Sequence, residues 1–276
     1  MQRRGFLTAG AASVAALSGI RATQATAAAP EESPTAAGDA PPLTRNRLEG
    51  PYYLDYDLNR IDITEGRRGV PLDLRIQVLA AGSGRPLPDV AVDVWQCDAL
   101  GLYSGYERTT LEINARDKAP SGAAGQLPSG RHLPPDSRTT YLRGFQMTDG
   151  DGRVRFRTIV PGWYTGRAVH VHLKVHHQGV LLDGAYADGT TMHTGQLYFP
   201  EDLLADLRPV APYSSNPYRR TPNSEDRFYT GTSMADGMVE ATWDRREVAR
   251  GVDGALTLVV DPAAEHVGHV GSRSSG

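Results

Sequence analysis

Short stretches of strict apolar/polar alternation recur along this chain. Leu72-Asp73-Leu74-Arg75-Ile76-Gln77-Val78 and Val90-Ala91-Val92-Asp93-Val94 put every second side chain on one face, the period of a half-buried strand, and a Gly/Pro-rich turn joins them. Arg143 to Met147 and Arg153 to Ile159 flank Thr148-Asp149-Gly150-Asp151-Gly152, whose Asp-Gly pairs supply the positive-φ positions of a hairpin. Leu256 to Val260 is a further strand. From Val169 to Val175 the alternation sends Val171, Leu173 and Val175 to one face and His170 and His172 to the other. The only helix predicted is a short one, Glu201 to Leu207. With 30 Gly and 19 Pro and no long amphipathic segment, the pattern predicts an all-β fold: a β-sandwich core with long loops and few short helices.

The ends of the chain read differently. Arg3-Arg4 followed by an Ala-rich apolar run to Ile20, with small residues at Ala25-Thr26-Ala27, predicts a twin-arginine signal peptide over 1–27 and a secreted or extracytoplasmic protein. That run is too short and too rich in Ala and Gly for a stable span, so the mature form is expected to have none. Residues 28–44 offer almost nothing to bury and read as a disordered linker, leaving 45–276 as one domain. The 107–140 stretch lacks periodicity and reads as a surface loop.

Charge narrows the partners. Lys and Arg total 29 against 32 Asp and Glu, with no basic stripe, so a small molecule is expected rather than nucleic acid. The oligomeric state stays open. A single cysteine, Cys97, leaves no intrachain disulfide, and its apolar setting beside Trp95 marks a buried structural thiol.

Chemistry gathers between Pro161 and His172. Two imidazoles two residues apart on one strand face, roughly 7 Å along the strand, can tilt toward one ion. Tyr164, on the Pro161-Gly162-Trp163-Tyr164 turn just before that strand, points to phenolate ligation, which zinc rarely uses. A phenol with an ordinary pKa of about 10 ionises near neutrality only beside a strongly polarising cation, and Fe(3+) fits best. His132, His176, His177 and His193 are expected to stay off the metal.

Several separated motifs resemble the intradiol ring-cleavage dioxygenases, especially members like the protocatechuate 3,4-dioxygenase beta subunit. They are Glu49-Gly50-Pro51-Tyr52-Tyr53, the run from Trp95 to Ser104, Arg143 to Asp149, Arg157 to Tyr164, Arg167-x-x-His170-x-His172, and Thr194 to Phe199; the likeness runs from about Leu48 to Pro262. It implies the same β-sandwich core and a ferric ion held by Tyr103, Tyr164, His170 and His172. Arg167 and Gln196 match the pair that contacts substrate and stabilises charge developing on its ring. The implied reaction opens a catechol-type ring with O2 between the hydroxylated carbons to a cis,cis-muconate-type diacid, Tyr164 leaving the metal and Tyr103 staying. Two other readings compete: a non-catalytic exported β-sandwich binding module, against which the full ligand set and Arg167 speak, and a zinc hydrolase using His-x-His, for which the chain lacks a convincing third His or a nearby Glu base.

Overall fold

A computed structural model describes residues 41–55, 58–116, 133–187, 189–229 and 231–265. The expected signal peptide, nearly all of the expected linker, His132 and much of the 107–140 stretch therefore lie outside the described residues. In chain order the elements are β1 (Pro71–Ala80), β2 (Ala91–Trp95), α1 (Glu107–Arg116), β3 (Arg143–Met147), β4 (Arg153–Ile159), β5 (His170–His177), β6 (Val180–Leu182), β7 (Ala185–Ala187), β8 (Thr190–Tyr198), α2 (Glu201–Leu207), β9 (Glu240–Trp243) and β10 (Val252–Val260). Among the described residues the strands form one sheet ordered β4-β1-β10-β9, a second ordered β3-β2-β5-β8, and the small hairpin β6-β7. The all-β sandwich expected from the alternating pattern is what forms.

Alternation decides which side of each sheet meets the other. Along β1, Leu72, Leu74, Ile76 and Val78 are buried in one apolar cluster with Val154 and Phe156 of β4, Val92 and Val94 of β2, and Val171, Leu173 and Val175 of β5. Each such side chain contributes roughly 1.5–3 kcal/mol by leaving water. The intervening residues of β5, namely His170, His172 and Lys174, are thereby sent to the outer face of their sheet.

Two expectations about organisation are corrected. The Asp149–Gly152 turn is tight, with Gly152 N–H donating to the Asp149 carbonyl at 2.9 Å, but it does not close a hairpin. β3 pairs with β2 and β4 with β1, so the turn carries the chain from one sheet to the other. Gly152 N–H and carbonyl face Asp149 and Val78 rather than a continuing β3–β4 ladder. The first part of the 107–140 stretch is not loop but α1. Its buried positions, Thr110 and Asn114 with half-buried Ile113, are helically spaced but mostly polar, so no apolar stripe shows. The helix start is held from outside: Asp136 accepts from the Thr109 N–H at 2.6 Å, and Ser137 donates to Glu107 at 2.7 Å.

Preceding the sandwich, the chain from Thr44 to Tyr53 forms a strap over the outer face. Thr44 exchanges hydrogen bonds with Val259 of β10, and Arg47 N–H donates to Thr194 of β8 at 2.7 Å. Buried Glu49 then pairs with buried Lys174 of β5, whose ammonium lies 3.7 Å from the centre of the Tyr53 ring.

Candidate metal centre

Three pieces of chain bring the aromatic and imidazole groups together. The first is the turn after β2, where the Asp98 carboxylate accepts from Leu100 and Leu102 N–H at 2.9 and 3.0 Å. The second is the Pro161–Tyr164 turn. The two are pressed backbone to backbone at paired glycines: a Cβ on Gly101, which also has φ +83°, would stand 2.3 Å from the Trp163 carbonyl, and one on Gly162 would stand 2.3 Å from that of Ala99. This contact sets Tyr103 and Tyr164 side by side, ring centres 5.8 Å apart in an edge arrangement. The third piece is β5 itself, carrying His170 and His172.

The polar atoms converge. His170 Nε2 lies 2.9 Å from His172 Nε2 and 3.3 Å from the Tyr164 hydroxyl. His170 Nδ1 is 2.6 Å from the Ala168 carbonyl, and since a carbonyl only accepts, Nδ1 carries the proton and Nε2 presents a lone pair inward. His172 is held from behind by Trp95, its partner across the β2–β5 ladder, the two rings parallel within 5° at 4.9 Å. Tyr103 is fully buried under Tyr52, whose ring stacks on it at 4.6 Å. The Tyr103 hydroxyl and His172 Nδ1 are buried with no hydrogen bond of acceptable geometry, although the Tyr164 phenol is near the former. A buried hydroxyl left so is costly unless something else completes it.

Electrostatics fits a cation. Burial pushes both imidazoles well below their ordinary range, with the Arg167 charge adding to the effect, so both rings are neutral ligands in waiting. Burial likewise pushes the Tyr164 phenol up to about 12 against a partial opposing pull from Arg167, and pushes the Tyr103 phenol well above its ordinary range. Only a strongly polarising ion would turn these phenols into phenolates at neutral pH. Among the described residues no three His, Cys, Asp or Glu side chains come together, so the donor set is not the one structural or hydrolytic zinc uses.

Beside this cluster Arg167 is fixed at two ends. Its Nε donates to Asp226 Oδ2 at 3.0 Å and its Nη2 donates to Gln196 Oε1. Gln196 is itself oriented: Oε1 accepts from the Tyr198 hydroxyl at 2.9 Å, and Nε2 donates to the Leu48 carbonyl of the strap at 2.9 Å. The structure thus gathers Tyr103, Tyr164, His170, His172, Arg167 and Gln196 in one place.

No family model matches the chain. The protocatechuate 3,4-dioxygenase beta chain of Burkholderia cepacia is 31% identical over 168 residues, and the match spans 57% of this chain and 57% of that relative. Among solved structures, the intradiol ring-cleavage dioxygenase from Tetranychus urticae superposes with a TM-score of 0.65 at 27% identity, over 82% of this chain and 98% of that one. In sequence and in fold the chain is similar to intradiol ring-cleavage dioxygenases. The dioxygenase domain of a dioxygenase carbohydrate-binding protein fusion from Streptomyces sp. SirexAA-E shares the fold, with a TM-score of 0.50 at 24% identity over 80% of this chain and 99% of that one.

The remaining histidines are placed elsewhere. His193 lies on β8, which pairs with β5 from Thr190 to Tyr198; it occupies the sheet face opposite Gln196 and Tyr198. His176 and His177 end β5, and His176 faces Thr191 at 3.1 Å. Cys97 is buried, its thiol pushed far up by burial, with Sγ 3.7 Å from the Gly162 carbonyl. Sequence reasoning missed Asp226, whose fully buried carboxylate also accepts from Ala168 and Phe228 N–H at 2.9 Å each. A lone Asp in the charged run Ser224-Glu225-Asp226-Arg227 reads as solvated surface. The strap was also missed as an element, although its Glu49–Tyr53 motif was noticed.

Proposed function

We propose that this protein is a non-haem Fe(III) intradiol dioxygenase that opens a catechol-type ring with O2 between the two hydroxylated carbons, giving a cis,cis-muconate-type diacid, and that it works outside the cytoplasm after twin-arginine export. The observation that carries the reading is the convergence of two phenol hydroxyls and two neutral imidazole Nε2 atoms in a largely buried site. Tyr103, Tyr164, His170 and His172 would hold the ion. When bound, it supplies a strong Lewis acid that lowers the pKa of coordinated phenols and readies a catecholate ring for oxygen.

The chain's own residues divide the remaining work. Tyr164 sits on a turn, half-buried, with its hydroxyl near His170 Nε2 and the Tyr103 phenol, so it is the phenol that can swing away and take a substrate proton on its oxygen. Tyr103, clamped by Tyr52 above and by its own turn below, stays. Arg167 is held by a buried carboxylate and places fixed positive charge where electron density builds on the ring oxygens, without having to reorganise. Tyr52, Tyr53 and Trp95 line one side and keep water from the imidazoles. The test is metal analysis with the visible spectrum, followed by oxygen uptake and product identification over a panel of catechols. About one iron per chain, a burgundy to red-brown colour from phenolate-to-iron charge transfer, and a muconate-type product are expected. Bound zinc, or full iron in a colourless protein, would overturn the metal reading; coloured iron protein without oxygen uptake would overturn catalysis.

A further inference from the structure

The Pro161–Tyr164 turn is gripped from behind by a segment that the metal cluster does not use. Tyr213 to Ser215 form one turn of 3-10 helix, which Asn216 ends by donating its N–H to the Tyr213 carbonyl at 2.9 Å. Asn216 itself is extended, at φ −68° and ψ 118°, as the following Pro217 favours. On one side of it the Tyr213 hydroxyl donates to the Val160 carbonyl; on the other the Tyr218 carbonyl accepts from Trp163 Nε1 at 2.9 Å.

The partners of the Asn216 amide fix its direction. Oδ1 accepts from the Tyr218 N–H at 3.0 Å, and Nδ2 donates to the Trp163 carbonyl at 2.8 Å and to the Ala99 carbonyl at 3.2 Å. A carbonyl only accepts and an N–H only donates, so the flipped amide would lose all three bonds. The first bond is a local Asx turn, but the other two reach chain 53 and 117 residues away. Those two carbonyls are the ones pressed against Gly101 and Gly162 where the phenol-bearing turns meet. Trp163 and Ala99 are buried and lie in no strand, so no ladder holds them. The Trp163 carbonyl belongs to the peptide that leads directly into Tyr164. Beyond Tyr164, the Thr165 N–H reaches Asn114 Oδ1 only at 3.4 Å, so the backbone under this phenol is held firmly in front and loosely behind.

Resting on the dioxygenase reading, we propose that Asn216 is a positioning residue for Tyr164: by tying the Trp163 carbonyl to the Ala99 carbonyl across the contact between the two turns, it fixes the backbone from which the phenol reaches the metal. The phenol then leaves and returns by side-chain rotation alone. Tyr164 needs such a hold more than Tyr103 does. Tyr103 has the Tyr52 ring stacked on it at 4.6 Å, whereas Tyr164 meets Tyr103 and His170 only edge-on, at 5.8 and 5.9 Å between ring centres. A ring with edge neighbours alone takes its position from its own backbone. Removing both amide donors strips two buried carbonyls of a partner and lets the turn under Tyr164 shift.

The experiment compares the visible spectrum and the rate of iron release to a chelator for wild type, Asn216→Asp and Asn216→Ala, each also combined with Tyr164→Phe. Asn216→Asp keeps the size of the side chain and the acceptor for Tyr218 N–H while losing both donors; Asn216→Ala loses the donors without adding charge. In either variant the phenolate-to-iron band should shift and weaken toward that of Tyr164→Phe, and iron release should speed up about tenfold, the order expected for one lost buried hydrogen bond. In the Tyr164→Phe background the same substitutions should change neither reading, because their effect passes through the Tyr164 oxygen. An unchanged band and release rate in both single variants, or equal effects in the two backgrounds, overturns this inference alone. So does failure of both variants to fold, which makes Asn216 a structural residue only. A wild type that takes up no iron, or is colourless with iron bound, overturns it together with the dioxygenase reading.

Discussion

Replacing Asp226 by Asn tests whether the site is held from behind. The carboxylate is fully buried and accepts three bonds: Arg167 Nε and Ala168 N–H on one oxygen, Phe228 N–H on the other. An amide of the same shape keeps one acceptor but turns an NH2 donor toward either the Arg167 and Ala168 donors or that of Phe228. At least one donor is then left unpaired, each costing roughly 1–3 kcal/mol, and the charge-assisted bond, itself worth roughly 1.5–3 kcal/mol, is lost or weakened. Breaking one side of a buried ion pair costs roughly 3–5 kcal/mol overall, which a domain with roughly 5–15 kcal/mol of stability survives at room temperature. Denaturant unfolding should show a midpoint lowered accordingly with an unchanged slope. The functional loss should be larger in kcat than in KM. Arg167 keeps Gln196 but can pivot about that single bond, and losing one preorganised charge typically costs about 10²- to 10³-fold. Combining Asp226→Asn with Arg167→Gln should add little to the kcat loss of Arg167→Gln alone, because the two act as a unit. Wild-type unfolding and wild-type turnover in Asp226→Asn would refute the reasoning, and full additivity in the double variant would separate Asp226 from Arg167.

Other outcomes follow from the same geometry. Tyr164→Phe should keep iron on three protein ligands and lose about 10²- to 10⁴-fold in turnover, the worth of an internal proton acceptor, whereas His172→Ala should lose the iron; iron content and oxygen uptake separate the two. Metal-free protein should weaken as pH falls, because His176 is lowered from 6.5 to about 3 by burial and His170 and His172 are also depressed: that stability is complete above about 6.5 and lost as pH drops toward about 3, which acid unfolding with and without iron will show. Changing Arg3 and Arg4 to lysines should leave the protein inside the cell with its signal attached, as fractionation of both forms would reveal.

The strands were legible wherever one face of a sheet meets the core, because burial enforces the two-residue period: β1, β3, β4 and β5 lie within a residue or two of their expected bounds. β8 was not read because its outward residues are Thr, Gln and Tyr and its core face includes His193 and Gly195, so hydropathy does not alternate. α1 was not read because its buried face is Thr and Asn and its first turn is held by Asp136 from distant chain. The supposed hairpin failed for a related reason: turn chemistry at Asp149 to Gly152 says that the chain reverses, not which neighbour each strand pairs with. At the site, Tyr164, His170 and His172 could be read from local spacing, and Tyr103 from a motif, but Asp226 could not, since its importance comes from burial 59 residues away from Arg167.

The position of the site follows from the sandwich itself. Apolar packing takes the inner face of both sheets, so polar groups fixed rigidly on a strand can only stand on an outer face, where they would ordinarily meet water. Here the outer face of β2 and β5 has its own cover, the strap, and that cover is coupled to the chemistry through several contacts. Leu48 takes the Gln196 amide, Glu49 takes Lys174, Gly50 lies against His172 so closely that a Cβ would stand 3.2 Å from the ring, and Tyr52 covers Tyr103. Rigidity is therefore unequal across the four candidate ligands. His170, His172 and Tyr103 are pinned between strand, strap and stacked rings, while Tyr164 rides half-buried on a turn outside the strands, so the arrangement can release one donor without loosening the other three.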